Sequence, residues 1–128
     1  MRLAPRTLLR LEGLALFLFA VFFYRELQQG WLMFALLFLV PDLSMLGYLA
    51  NPRAGALLYN AFHTYVGPVV LILGATTIGV SQGWPLENVF VAGSIWLAHI
   101  GLDRALGYGL KHDTGFGDTH LGKVGRAK

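Results

Sequence analysis

The chain of 128 residues is sized for one domain, and its 55% hydrophobic against 13% charged residues sets the charged share at about half the roughly 25% of an ordinary soluble domain. Cysteine is absent, which excludes disulfides, thiolate metal sites and cysteine nucleophiles. The formal charge of +3 comes from 10 Lys and Arg against 7 Asp and Glu. Its basic residues gather at the two ends, which speaks for membrane orientation and against a nucleic-acid surface.

Four apolar stretches, at 7–25, 31–50, 52–80 and 85–110, each approach the ~20 residues that a helix needs to cross a hydrocarbon core. Three arginines, Arg2, Arg6 and Arg10, precede the run "LEGLALFLFAVFFY" of the first, as in a signal peptide. No A-x-A-like cleavage site follows, and the run ends in Tyr24, Arg25 and Glu26, so the segment is expected to be retained. The second stretch starts at Trp31 and is interrupted by Pro41-Asp42. Pro41 cannot donate a hydrogen bond to the Leu37 carbonyl, which predicts a bend beside Asp42.

"NPRAG" then supplies Asn51 as a helix N-cap and Pro52 at the first helical position. The third stretch has no Asp, Glu, Lys or Arg between Ala54 and Val80, and Pro68 after Gly67 is expected to bend it. Trp84 marks an interface and Pro85 restarts a helix. The tail "HDTGFGDTHLGKVGRAK" is glycine-rich and polar, an ordered loop that frays at its end. No internal repeat is visible.

These elements predict an all-α fold, an integral membrane four-helix bundle forming a single transmembrane domain over 1–128. The amino terminus, the Arg53 turn and the tail with Lys111, Lys123, Arg126 and Lys128 are positive, whereas the two opposite loops hold only Arg25. The positive-inside rule then puts both termini in the cytoplasm.

With directions assigned, depth is countable at ~1.5 Å per residue. From the cytoplasmic end of its own span, Glu12 lies ~8 Å in, Asp42 ~12 Å, Asn60 and His63 ~12–16 Å, and His99 and Asp103 ~10–16 Å. Helices of opposite direction would scatter random polar residues over both halves of a bilayer. A shared level instead points to one site built by four helices.

His99 and Asp103, four apart, share a helix face from which Arg104 points away; Asn60 and His63, three apart, share another with Tyr59. Ionisable groups inside a membrane cost several kcal/mol each and face partners in the bundle. Asp42, His63, His99 and Asp103 match the donor set of a divalent metal, zinc first, with manganese and iron as alternatives. Asn60, Tyr59 and Arg104 are candidates to support those ligands. Glu12, Asp118 and His120 are candidate acid–base residues for a water that the ion activates.

Blander readings stand beside these. Each histidine is also explained as a neutral, hydrogen-bonded group in the bundle, and each aspartate as half of an ion pair with Arg10, Arg53 or Arg104. Glu12 suits the positive end of a helix dipole, and Arg104 and Lys111 suit snorkelling to the interface. Gly47, Gly55, Gly67, Gly74, Gly93 and Gly101 suit close helix packing. His120 is placed at the headgroups in preference to a lid over the inner mouth.

Through "LRLEG", "PDLSMLGY", "YNAFHTY", "WLAHIGLDRALGYGLK" and "TGFGDTHLG" the chain resembles, over nearly its whole length, the bacterial membrane family designated domain of unknown function 4260. The resemblance implies a four-helix protein of the bacterial inner membrane and no established activity. More distantly, Pro41-Asp42, His63 and His99-x-x-x-Asp103 are similar to motifs of the YdjM-like membrane-bound metal-dependent hydrolases. That likeness implies Asp42, His63, His99 and Asp103 as ligands. Those relatives carry a second aspartate where this chain has Ser44 and a second histidine where it has Leu58, which argues against a two-metal site.

The leading expectation is a membrane-embedded metal-dependent hydrolase acting on a lipid or phosphoester. Two alternatives are a small transporter or proton pathway, which would need a homo-oligomer to supply repeats, and a structural protein whose polar layer sets helix register.

Overall fold

A computed structural model describes residues 4–124; Arg2, Arg126 and Lys128, and the expected fraying at the end of the tail, lie outside them. In chain order come α1 (Pro5–Glu26), α2 (Trp31–Phe38), a 3₁₀ helix (Val40–Leu49), α3 (Pro52–His63), α4 (Val66–Gln82), α5 (Glu87–Leu106) and a small hairpin of β1 (Asp118–Thr119) and β2 (Gly122–Lys123). The stretches Pro5–Glu26, Trp31–Leu49 and Glu87–Leu106 are long and apolar enough to cross a membrane. Pro52–His63 and Val66–Gln82, bent by 49°, make a fourth if taken as one broken span.

α5 is the central helix. Its buried residues run from Val91 to Arg104, and α1 packs along it at a pair of glycines. A methyl group on Gly101 would come within 2.8 Å of the Gly13 carbonyl, and one on Gly13 within 2.9 Å of the Gly101 carbonyl. The two backbones therefore touch, as small residues allow where lipid gives no hydrophobic drive. Tyr24, Val91 and Ile95 form the buried core with Leu27, Phe34 and Phe38 against it. Gly74, expected in helix packing, faces open space instead: a methyl group added there would meet nothing within 4 Å.

Three expectations about the elements need correction. From Val40 on the second stretch does not bend as an α-helix; it winds as ten residues of 3₁₀ helix. Runs beyond three or four residues of this form are uncommon, and here Tyr48 of the 3₁₀ helix lies flat on Gly55 of α3, where no side chain would fit. The third stretch breaks at Thr64, which turns extended (φ −97, ψ 145), instead of bending at Pro68. The cause is still Pro68, because proline removes the hydrogen bond to the carbonyl four residues back and its ring clashes with that carbonyl. Finally, α5 starts at Glu87, not Pro85, and ends at Leu106, not Leu110. Gly107 takes the left-handed conformation (φ 94) that stops it.

Asn51 behaves as expected, accepting from the Ala54 N–H at 2.8 Å. The tail docks against α3. Asn60 donates through Nδ2 to the Lys111 carbonyl and accepts the Lys111 N–H at Oδ1, both at 2.7 Å. Phe116 packs on the Tyr48 ring at 5.2 Å, so the tail folds back over the end of α3 and the 3₁₀ helix.

Candidate metal centre

The break after α3 leaves His63 as its last residue, wholly buried. Its Nδ1–H donates to the Tyr59 carbonyl at 2.9 Å. A carbonyl only accepts, so Nε2 of a neutral His63 carries a lone pair. That lone pair faces His99 Nε2 at 3.1 Å, Asp42 Oδ1 at 3.2 Å and Asp103 Oδ2 at 3.5 Å. His99 Nε2 in turn lies 3.3 Å from Asp42 Oδ1 and 3.4 Å from Asp103 Oδ2.

One ligand atom from each of the four residues lies within 4.8 Å of all the others. A four-coordinate ion with bonds of about 2.0–2.2 Å separates its ligand atoms by about 3.3–3.6 Å. The five distances of 3.1–3.5 Å sit at that spacing. Two ring nitrogens facing each other also have no mutual hydrogen bond unless one is protonated, whereas a cation between them satisfies both. This group can hold a metal ion. Asp42 is the accessible member, its side chain 35% exposed against 17% for Asp103 and 2% for His99.

The surroundings of His63 hold it firmly. The Tyr59 ring stacks on the imidazole at 3.7 Å between centroids, and Arg104 Nη2 donates to the His63 carbonyl at 2.7 Å. Around His99 the packing is apolar. Phe38 lies against its ring, at 5.0 Å, and His99 Nδ1 is buried without a hydrogen-bond partner among the described residues.

Arg104 does not snorkel. It is 6% exposed, and Nη1 donates to the Tyr108 carbonyl at 2.8 Å. Lys111 does not snorkel either. Its buried Nζ donates to the Phe116 carbonyl at 2.6 Å and lies 3.6 Å from the Phe116 ring centroid and 4.6 Å from that of Tyr59. Burial lowers the Lys111 pKa, and the charges of Asp103 and Asp42 oppose that shift. Sequence reasoning missed Lys111 as a neighbour of the group, because Tyr59 and Phe116 are far from each other along the chain. Asn60, taken as a support for the ligands, is instead occupied by the tail backbone.

The expected ion pairs of Asp42 and Asp103 with Arg10, Arg53 or Arg104 are not among the described residues' contacts; both aspartates meet histidines instead. Arg10 Nε donates to the Ala105 carbonyl at 2.8 Å. Glu12 and His120 line a separate cavity of about 220 Å³ with Leu9, Thr64, Tyr65, Arg104 and Leu110, none of them among the four grouped residues. His120 Nδ1 accepts the Leu110 N–H at 2.8 Å. Burial and the Arg104 charge lower its pKa. Asp118 Oδ2 accepts from Thr114 Oγ1 at 2.8 Å within the tail.

The model of the DUF4260 family, a domain of unknown function, matches residues 6–124. The chain belongs to this family. Among curated proteins and among solved structures none matches it. In this DUF4260 chain the ligand atoms come from the 3₁₀ helix, α3 and α5, all within the matched residues. Ser44 Oγ donates to the Pro41 carbonyl at 2.7 Å, and Leu58 is exposed.

Proposed function

We propose that this DUF4260 protein is a membrane-embedded metal-dependent hydrolase with one divalent ion, zinc in the first place, held by Asp42, His63, His99 and Asp103. The observation that carries the reading is the spacing of 3.1–3.5 Å in the five pairs that involve a histidine, with all four ligand atoms within 4.8 Å of one another. Manganese and iron accept the same donors. The likeness of Pro41-Asp42, His63 and His99-x-x-x-Asp103 to the YdjM-like hydrolases favours hydrolysis over simple metal storage. The chain is read as multi-pass in the bacterial cytoplasmic membrane with both termini inside, and a lipid phosphoester is the substrate suited to that depth.

Asp42, His63, His99 and Asp103 would hold the ion, whose charge would polarise a phosphoryl oxygen and lower the pKa of a water bound there. The protein's own part is orientation. His63 is fixed by the Tyr59 carbonyl below and the Arg104 guanidinium at its own carbonyl, the kind of support that sets ligand tautomer and affinity. Asp42 is the more exposed of the two carboxylates. Glu12 and His120 line a separate cavity, and Asp118 accepts from Thr114 within the tail.

Elemental analysis of detergent-purified protein tests the metal, with one ion per chain expected in wild type and none in a His63→Ala, His99→Ala pair. Metal-dependent release of product from lipid phosphoesters, lost in Asp103→Asn, tests the reaction. A folded wild type free of metal sinks both. A second reading, an ion or proton pathway, is favoured by the 49° break directly after His63, since discontinuous helices line transporter sites. Proton flux in proteoliposomes that is lost in Asp103→Asn, without lipid hydrolysis, selects it.

A further inference from the structure

An apolar cavity of about 280 Å³ is lined by Leu37, Val40, Pro41, Phe62, Leu71, Ala92, Ile95 and Trp96, of which Pro41 and Phe62 are the chain neighbours of Asp42 and His63. Trp96 brings the only polar side-chain atom among them, and that indole N–H already donates to the Phe62 carbonyl at 2.7 Å. The wall therefore offers nothing to a polar guest. Leu37, Val40, Phe62 and Ala92 are at least partly exposed, so the cavity opens onto the apolar flank of the molecule and not toward the tail.

Its position relative to the ligands is directional. Pro41 directly precedes Asp42, Phe62 directly precedes His63, and Ile95 sits one turn before His99 on α5. On α2 and α5 every lining residue precedes the ligand, and Leu71 lies beyond His63 on the continuation of the broken span. Apart from Phe62, which lies on the α3-turn side of His63, these directions point away from the end that carries the α3 turn and the tail. The cavity thus runs from the ligand layer toward the middle of the membrane, the course of a lipid tail whose headgroup sits at the layer.

We propose that this cavity takes one hydrocarbon chain of a membrane lipid and so presents that lipid's polar group to the ion. The inference rests on the metal reading above and adds the substrate class: a lipid selected by a single straight chain and handled at its headgroup end. An apolar cavity of 150 Å³ stays dry and holds benzene, so about 280 Å³ accommodates about ten carbons of chain. The remainder of the chain and any second chain stay in the bilayer.

The test uses the full chain in bilayer discs with phosphatidic acid bearing a diazirine midway along one palmitoyl chain. After irradiation, labelled residues are mapped by mass spectrometry. Labelling at Leu37, Val40, Leu71 and Ala92 is expected to exceed that at Leu36 and Leu73, which face bulk lipid, by about tenfold. Ala92→Phe, which fills the cavity, is expected to abolish the excess; Ala92→Leu serves if the larger change lowers the melting temperature. Labelling no greater than at Leu36 and Leu73, or an excess indifferent to both substitutions, overturns the proposal. Metal content on the same samples separates the two readings. Metal without cavity labelling removes only the lipid chain, whereas cavity labelling without metal leaves the chain site and removes the hydrolase.

Discussion

His63 donates its Nδ1–H in a hydrogen bond to the Tyr59 carbonyl 2.9 Å away, one turn back on α3, and this leaves the opposite nitrogen with a fixed lone pair. The ion site depends on that orientation. His63→Ala and Asp103→Asn are each expected to cut metal affinity by at least about 100-fold, beyond the 10–100-fold typical of losing a supporting contact. For wild type with free metal at 100 times its dissociation constant, binding adds about 2.7 kcal/mol of stability. A chelator should lower the melting temperature of wild type and leave that of either variant unchanged.

Arg104 joins the ligand layer to the end of α5 by donating to the carbonyls of His63 and Tyr108. Hydrogen bonds with a charged partner contribute about 1.5–3 kcal/mol each. Arg104→Met should therefore destabilise the fold by roughly 3 kcal/mol or more. Arg104→Lys should restore little, because one ammonium does not reproduce the two-pronged geometry. Equal melting temperatures for wild type and the lysine variant would refute this account.

Asn60 fastens the tail through two hydrogen bonds of 2.7 Å. Asn60→Leu removes both, about 2 kcal/mol at a typical net contribution of ~1 kcal/mol each. The buried Lys111 then becomes available to trypsin, with cleavage after it accelerated about 30-fold if opening precedes cutting. An unchanged digestion rate would mean that the aromatic rings around Lys111 hold the tail unaided.

The paired glycines of α1 and α5 predict a sharp contrast between positions. Gly101→Ala pushes a methyl group into the α1 backbone and should cost about 1–3 kcal/mol. Gly74→Ala meets nothing within 4 Å and should stabilise α4 by about 0.5–1 kcal/mol. Thermal unfolding of the two variants side by side measures the difference.

His120 makes the tail sensitive to acid. Its Nδ1 accepts the Leu110 N–H, which a protonated imidazole does not do, and its pKa is lowered by burial and by Arg104. A group with a lowered folded pKa takes up its proton more readily when unfolded, so stability falls as pH drops below the ordinary histidine value of about 6.5. Between pH 7.5 and 5, amide exchange at Leu110, corrected for intrinsic rate, should accelerate in wild type, and His120→Gln should flatten that response.

The ligand layer was legible in the sequence because helix periodicity and span direction are countable: His99 and Asp103 had to share a face, and Asp42 and His63 had to lie at a similar depth. Glu12 had the depth without the direction. Its neighbour Gly13 faces α5, which turns Glu12 about 100° aside, into the cavity with His120. The break at Thr64 was readable from Pro68 once the displaced carbonyl is counted four residues back. The 3₁₀ winding was not, since α and 3₁₀ differ only in which carbonyl each N–H selects, and Tyr48 against Gly55 makes that choice from another element. The tail's docking through Asn60 and Lys111 leaves no local pattern at all.

That winding has a consequence for how an ion arrives and leaves. A 3₁₀ helix rises about 2.0 Å per residue against 1.5 Å in an α-helix, so relaxing the eight steps between Asp42 and Ala50 would slide the carboxylate about 4 Å along the axis. The whole cluster of donor atoms spans no more than 4.8 Å, and such a slide would carry Asp42 out of it. If the group holds an ion, overwinding of this segment and occupancy of one coordination position would be coupled. Infrared or exchange measurements on that segment should register tightening on metal addition in wild type and none in Asp42→Asn.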